Sequence, residues 1–358
     1  MPDLQINQAP ALPESSCPIV AIGAGGIVND AHQPAYRKVG FETIGIFDLD
    51  QGKARATAEA FGIARVFASL EEAVASAPPD AVFDVAVPAK AILDILPALP
   101  DGAAVLIQKP LGDDWEQAKQ IHALSHQKNL IAAVNFQMRY APYVLAARDL
   151  IERGAIGELH DLEIRIKVNT PWHLWPFFET LPRVEILYHS VHYLDLIRSF
   201  FGEPQSIYAK TVKHPQMEKL ASTRTNIIMD YGDTLRANIT ANHGHAYGLE
   251  HQESYVAWEG TEGAIKATIG LLLNYPKGEP DSFEYCLLAE GQDPVWESVP
   301  VEGSWFPDAF IGSMSSLMRY VEGSSDTLST AVDDALKTMA LVEAAHRSSD
   351  AGGVPVLI

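Results

Sequence analysis

The chain has 358 residues, 47% hydrophobic and 20% charged, which suits two globular domains with substantial cores. Its formal net charge of −20 repels phosphate backbones and anionic lipid, which argues against nucleic-acid and membrane partners. No apolar run approaches the ~18 residues of a membrane span, and the two cysteines, Cys17 and Cys286, form neither a disulfide framework nor a zinc spacing.

The opening MPDLQINQAPALPESS lacks the basic start and long apolar centre of a signal peptide. It reads as a loose lead-in over residues 1–17, and a cytoplasmic location is expected. Short, continuous apolar runs follow: IVAIGAG (19–25), TIGIFDLD (43–50), AVFDVAVP (81–88), AVLIQKP (104–110) and LIAAVNF (130–136). Helical stretches such as DQGKARATAEAFG and DWEQAKQIHALSHQKN separate them. Strands buried on both faces and alternating with helices predict a parallel sheet covered by helices. After residue 136 the pattern changes. ELHDLEIRIKV places Leu162, Ile164, Ile166 and Val168 on one face, with Glu163, Arg165 and Lys167 on the other, as in a half-solvated strand. QSIYAKTV, TNIIMDY, TLRANITAN, SYVAWEG and GAIKATIG continue as strands, and AVDDALKTMALVEAAHRSS as a closing helix. The fold class is therefore α/β. A dinucleotide-type domain is expected over 1–136 and a second α/β domain, with an open and mainly antiparallel sheet, over 137–358. The closing helix is expected to pack back on the first domain.

The turn after the first run, VAIGAGGIV, opens a helix. Gly23 permits a tight turn and Gly25 lets backbone approach a pyrophosphate at the helix N-terminus, with Ala24, Gly26 and Ile27 completing the loop. The third glycine of such a fingerprint is replaced by Val28. Asp48, at the end of the second strand, stands where a carboxylate accepts ribose hydroxyls and repels a 2′-phosphate. Asp50 adds to that repulsion, while Lys53 and Arg55 oppose it. NAD is expected, with NADP disfavoured.

Lys109 follows the fourth strand and precedes Pro110. Strand C-termini of open parallel sheets face the ligand crevice. The pieces AIGAGGIV, DLD, VAVPA, QKPLG, NFQMRYAP, HYLDLIRSFFGEP, FPDAF and GGVPVLI, in this order along nearly the whole chain, resemble the Gfo/Idh/MocA family of glucose–fructose oxidoreductases and inositol dehydrogenases. The resemblance implies a Rossmann domain, a second domain that serves as an oligomer interface in a homodimer or homotetramer, and oxidoreduction of sugars or polyols. It places Lys109 at the lysine of the family's Glu-Lys-Pro motif, with Gln108 in place of the glutamate, and both are expected at the cofactor. Val87 and Pro88 match the nicotinamide-side loop, whose usual histidine is absent near Ile92. Asn135 and Arg139 match the entry to the second domain. Asn135 is expected at the cofactor, and Arg139 either at substrate oxygens or in an ion pair at the domain junction.

In YHSVHYLDL the resemblance gives His192 the family's histidine position and Asp195 its last aspartate. Tyr188 and Ser190 replace the usual aspartate and glycine, and His189 is additional. An imidazole titrates near neutral pH and suits removal of a hydroxyl proton as hydride leaves. His192 is the expected base and Lys109 the orienting and electrostatic partner, with the two roles exchangeable. Tyr188 and His189 are expected at the substrate, and Asp195 either fixes the His192 tautomer or caps backbone. Trp172, in the aromatic stretch NTPWHLWPFFETLP, offers a stacking face for a sugar ring. Glu185, His189 and His192 share a helical face, but no further ligand is spaced for a metal and hydride transfer needs none, so no metal is expected. Two alternatives to a dehydrogenase remain open: an NAD-assisted glycosidase or epimerase, and a non-catalytic sugar or nucleotide sensor on the same fold.

Overall fold

The computed structural model describes residues 5–355. The ends of the lead-in and of the closing GGVPVLI motif, residues 1–4 and 356–358, lie outside the described residues. The chain divides into two compact units.

The first unit comprises Ala9–Ala141 and Trp305–Met339. Five strands, β1 (Ile19–Ile22), β2 (Thr43–Phe47), β3 (Val82–Val85), β4 (Ala104–Gln108) and β5 (Ile131–Asn135), form an all-parallel sheet in the order β2-β1-β3-β4-β5. Every residue of β1, β3 and β4 is buried, which is why these strands read as continuous apolar runs. The order reverses beside β1, and this is where open α/β sheets place their ligand. Helices α1 (Gln33–Val39), α2 (Gln51–Phe61), α3 (Leu70–Ser76), α4 (Ile92–Ile95) and α5 (Trp115–Gln127) fill the crossovers. Local signals fix several ends. Asp50 caps α2, Ser69 caps α3 and Asp114 caps α5 through side-chain oxygens that accept backbone N–H groups, and Gly40 and Gly62 close α1 and α2 in left-handed conformation.

The expected boundary at residue 136 does not describe this unit. A helix α8 (Asp308–Glu322), far along the sequence, belongs to it. Phe310, Met314, Leu317 and Met318 of α8 share one core with Tyr36, Val82, Leu106 and Ala133. Gly312 makes this docking close, since a Cβ there would lie 2.4 Å from the Tyr140 side chain. The last helix, α9 (Val332–Ala351), starts in this unit and ends in the other. No local pattern announces such a return of the chain, because the apolar face of α8 fits any core.

The second unit comprises Pro142–Ser304 with the described parts of Met1–Gln8 and Ala340–Ile358. After α6 (Pro142–Glu152), it builds an eight-stranded sheet from β6 (Leu159–Lys167), β7 (Ser206–Val212), β8 (Arg224–Asp230), β9 (Arg236–Asn242), β10 (Glu253–Gly260), β11 (Gly263–Thr268), β12 (Ser282–Leu287) and β13 (Trp296–Val299). The order is β13-β12-β11-β10-β6-β9-β8-β7. All neighbours are antiparallel except β6 and β9, which a crossover through α7 (Val191–Phe201) separates. The alternation read in β6 holds: Leu162, Ile164 and Ile166 are fully buried. The edge strand β7 is covered by the end of α9, whose Ser348 and Ser349 hydroxyls accept the Ala209 and Thr211 N–H groups at 2.9 and 3.0 Å. Strands β12 and β13 and helices α6 and α8 were not singled out in the sequence; β13 is short and mostly exposed.

The lead-in is not loose where it is described. Asn7 N–H donates to Asp149 at 3.2 Å, Arg153 donates to the Gln5 carbonyl at 3.1 Å, and within the first unit the Glu14 and Ser15 N–H groups donate to Glu322 at 3.0 Å each. Among the described residues no helix is long and apolar enough to cross a membrane.

Phe310 is fully buried, with its ring 4.9 Å from that of His32 and 5.0 Å from that of Phe306. Phe310→Ala is expected to cost the first unit about 3–5 kcal/mol, read as a lowered urea midpoint of its unfolding transition. An unchanged midpoint would separate α8 from this core.

Candidate active site

The glycine loop leaves β1 and enters a π-helical turn, Val28–His32, a local widening that is common at functional sites. Gly23 has φ +110°, and a Cβ there would sit 2.3 Å from the Ala86 carbonyl oxygen, so only glycine fits. A Cβ on Gly25 would meet nothing within 4 Å. The loop is thus tight where it packs against the end of β3 and open where a diphosphate would approach. Ala24, Gly26 and Ile27 complete it, and Asn29 pins it by donating to the Gly25 carbonyl at 2.9 Å. Val87 and Pro88, next to Ala86, are half-buried and exposed respectively.

Asp48 accepts the Ala24 N–H at 2.7 Å and the Asp50 N–H at 2.7 Å. Its carboxylate is therefore fixed beside the glycine loop at the end of β2. Asp50 does something other than expected. Its carboxylate caps α2 by accepting from Gly52 and Lys53 at 2.9 and 3.2 Å, so its first task is the helix N-terminus.

Lys109 stands at the end of β4, half-buried, after Gln108 and before a cis Pro110. Desolvation lowers its ammonium from the ordinary 10.5 to about 7. An amine in that range exchanges a proton readily at neutral pH, as an acid–base group requires.

Beneath these strand ends runs a buried polar chain. Asp84 on β3 accepts from Tyr36 at 2.9 Å and lies 2.8 Å from His32 Nδ1. His32 Nε2 lies 3.4 Å from Asn135 Nδ2, which donates to Gln108 Oε1 at 2.9 Å. Burial beside the Asp84 carboxylate pushes the Tyr36 phenol well up, so it keeps its proton as a donor. Asn135 and Gln108, expected at the cofactor, have amides that bond each other. The position this gives them is one that couples the ends of β4 and β5. For Arg139, expected either at substrate oxygens or in an ion pair, the structure shows an ion pair. Its guanidinium donates to the Ser329 carbonyl at 2.7 Å and to Asp334 at 2.6 Å, 8% exposed, an ion pair inside the first unit that holds the start of α9.

In the second unit a π-helical turn, Ile186–Ser190, precedes α7. It changes the phase on which a shared face for Glu185, His189 and His192 depended. Ser190 Oγ donates to Glu185 Oε1 at 2.7 Å, a side-chain bond spanning five residues as this wider turn allows. The His189 ring stacks near His243 and Trp172, with centroids 4.4 and 5.3 Å away. His243 Nδ1 lies 2.9 Å from Thr170 Oγ1, and its Nε2 lies 3.5 Å from Glu185. Glu185 and His243 are fully buried. Tyr188 is half-buried and sits edge-on to Phe178 at 5.1 Å. Trp172 packs on the same phenylalanine at 5.5 Å. His192 and Asp195, on the first turns of α7, are 5% and 1% exposed.

The structure therefore gathers Trp172, His189 and Tyr188 around one aromatic–imidazole cluster. It adds two groups the sequence reading passed over, His243 and Thr170. The only local signal for His243 was the turn NHGH after a strand, which names no partner.

Comparison with known proteins agrees with this architecture. Residues 18–136 match the oxidoreductase family with NAD-binding Rossmann fold, and residues 144–266 match the GFO/IDH/MocA C-terminal domain. The D-apiose dehydrogenase of Paraburkholderia graminis is 23% identical over 338 residues, covering 91% of this chain and 86% of that protein. The inositol 2-dehydrogenase of Corynebacterium glutamicum is 28% identical over 237 residues, 64% of this chain and 68% of its own length. A crystal structure of an oxidoreductase from Agrobacterium radiobacter, in complex with NAD+, L-tartaric acid and magnesium, superposes with a TM-score of 0.76 at 21% identity, covering 94% of this chain and 97% of that one. With a parallel sheet and glycine loop of the right form in the first unit, and family matches across both units, the chain belongs to the Gfo/Idh/MocA family of NAD-binding oxidoreductases.

Proposed function

We propose that this protein is an NAD-dependent dehydrogenase acting on a hydroxyl-bearing carbon of a sugar or polyol. The observation that carries this reading is Lys109, held at the C-terminal end of β4 with its ammonium lowered to about 7, in a family whose relatives include D-apiose and inositol dehydrogenases.

The glycine loop fits a dinucleotide: Gly25 leaves open space, and Asp48 is fixed beside it. Gly23, Ala24, Gly25, Gly26 and Ile27 would hold the diphosphate through backbone N–H groups, and Asp48 the adenosine ribose. Val87 and Pro88 would flank the nicotinamide. When bound, the nicotinamide supplies the hydride acceptor. The remaining work falls to side chains. Removing a hydride from an alcohol carbon leaves the oxygen needing to lose its proton, so a base and a group that steadies developing negative charge are required. His192 takes the base role, and Lys109 orients the hydroxyl and stabilises the charge; the lowered ammonium also allows Lys109 to be the base. Trp172, Tyr188 and His189 take the substrate, with the Trp172 indole N–H, buried and without an acceptor among the described residues, available to a sugar hydroxyl. Asp195 positions His192.

We also infer a cytoplasmic homo-oligomer that uses the open face of the eight-stranded sheet. Tyr208 and Ile228, paired across β7 and β8, are 59% and 53% exposed, an apolar contact that a second subunit would cover.

A screen of NAD reduction across aldoses, ketoses and polyols is expected to find turnover, and Lys109→Ala and His192→Ala to lower kcat by roughly 10²–10⁴-fold on the best substrate. Near-normal turnover in both variants would overturn the site. Asp48→Ala is expected to narrow the preference for NAD over NADP in a cofactor titration; equal affinity for the two in the unaltered protein would remove the argument from Asp48.

The Lys109 shift also has a sign in stability. Its pKa of about 7 in the folded chain lies below the ordinary 10.5, so between these values the unfolded state binds more protons. Stability relative to Lys109→Met is expected to rise from pH 7 to 10.5 and to be flat below 7, measured by denaturant unfolding. A difference independent of pH would mean that the ammonium is not desolvated.

A further inference from the structure

Outside the proposed active site, the first unit carries a second convergence of titratable groups. His122 and His126 lie four apart on α5 and therefore share one helical face. Asp333, in the first turn of α9, meets them. His122 Nε2 is 2.7 Å and His126 Nε2 is 2.8 Å from the same oxygen, Asp333 Oδ1, and the two Nε2 atoms are 3.2 Å apart. The three side chains are 26%, 56% and 61% exposed.

Protons alone serve this arrangement poorly. A carboxylate only accepts, so each Nε2 would need to carry hydrogen toward Asp333. Two N–H donors would then face each other at a separation where no hydrogen bond can form between them. A single cation in place of the two protons would engage all three lone pairs at once. Metal–nitrogen and metal–oxygen bonds of ~2.0–2.2 Å give ligand–ligand edges of about 3.4 Å around a tetrahedral ion, and of about 2.9 Å where ligands meet at right angles, as around an octahedral one. The observed separations of 2.7, 2.8 and 3.2 Å straddle the right-angle edge. Two imidazoles and one carboxylate are the donors of zinc, cobalt and nickel, whereas magnesium and calcium favour an all-oxygen set.

We propose that His122, His126 and Asp333 form a surface site for a divalent transition metal of the zinc class, with one face of its coordination shell left to water. The site is separate from Glu185, His189 and His192. Its effect is structural. It ties α5 to the start of α9, where the next residue, Asp334, holds Arg139. In the sequence, the pair lies within QIHALSHQ, a spacing that has no meaning until the fold brings Asp333 to it.

The test uses the full, untagged chain stripped with a chelator and titrated with Co²⁺, followed by visible absorption, and with Zn²⁺, followed by thermal unfolding. One Co²⁺ per chain is expected, with a Tm that rises by several degrees in Zn²⁺. His122→Ala, His126→Ala and Asp333→Asn are each expected to weaken Co²⁺ binding at least tenfold and to abolish the Zn²⁺ shift. His126→Gln keeps a hydrogen-bond donor and is expected to keep the metal-free Tm while losing the metal response. No Co²⁺ bound by the unaltered chain, or equal affinity in these variants, would overturn the proposal.

Discussion

A carboxylate buried under a parallel sheet must be held by hydrogen bonds, and in this protein meeting that requirement organises the first unit. Asp84 is 1% exposed. An uncompensated charge there would cost several kcal/mol. Tyr36 and His32 meet it from α1 and from the π-helical turn after the glycine loop. His32 then faces Asn135, and Asn135 bonds Gln108. The chain of contacts runs β3, glycine-loop helix, β5, β4, and each member sits close to a strand end. Of the residues proposed to work on cofactor and substrate, Lys109 directly follows Gln108 of this network, and Gly23 packs on Ala86, two residues after Asp84. The hydrogen bonds converge on Asp84 Oδ2 and Gln108 Oε1, and such contacts restrict rotamers that a purely apolar core would leave loose. The network also accounts for Gln108. A glutamate there would bring a second buried anion toward Asn135, whereas the amide accepts its N–H without adding a charge.

The second unit solves a similar problem with different parts. Glu185, fully buried, accepts from Ser190 and lies near His243. The π-helical turn makes the first contact geometrically available, since it brings residues five apart together. The same turn presents His189 to Trp172 and His243, leaving His192 on the regular helix that follows. Both units thus widen a helix by one residue at the segment that carries candidate functional groups.

The fold was legible where burial leaves a local trace. The parallel strands of the first unit are apolar throughout because both faces are covered, and β6 alternates because one face is not. Helix ends were readable where a cap or left-handed glycine marks them, as at Asp50 and Gly62. The candidate site was legible in placement where an element fixes a residue's position: Gly23, Asp48 and Lys109. It was not legible where use depends on a partner distant in sequence. Arg139 reads equally as a substrate arginine or an ion-pair partner until Asp334 and Ser329 are brought to it. Asp50 reads as a second ribose-side carboxylate until the first turn of α2 claims its oxygen. His243 and Thr170 gave no signal beyond a turn.

By itself the sequence determined the α/β class, the succession of the first unit's strands along the chain, the glycine turn, the acidic end of β2 and the lysine at the end of β4. These follow from periodicity, from the φ that glycine alone tolerates and from the direction of a parallel strand, all of which are local. Only the tertiary structure decided that Trp305–Met339 joins the first unit, that a histidine–aspartate pair lies under the sheet, and that His122, His126 and Asp333 converge on one point. Such outcomes depend on which surfaces meet, and an amphipathic helix or a polar side chain carries no record of its distant partner until packing excludes the alternatives.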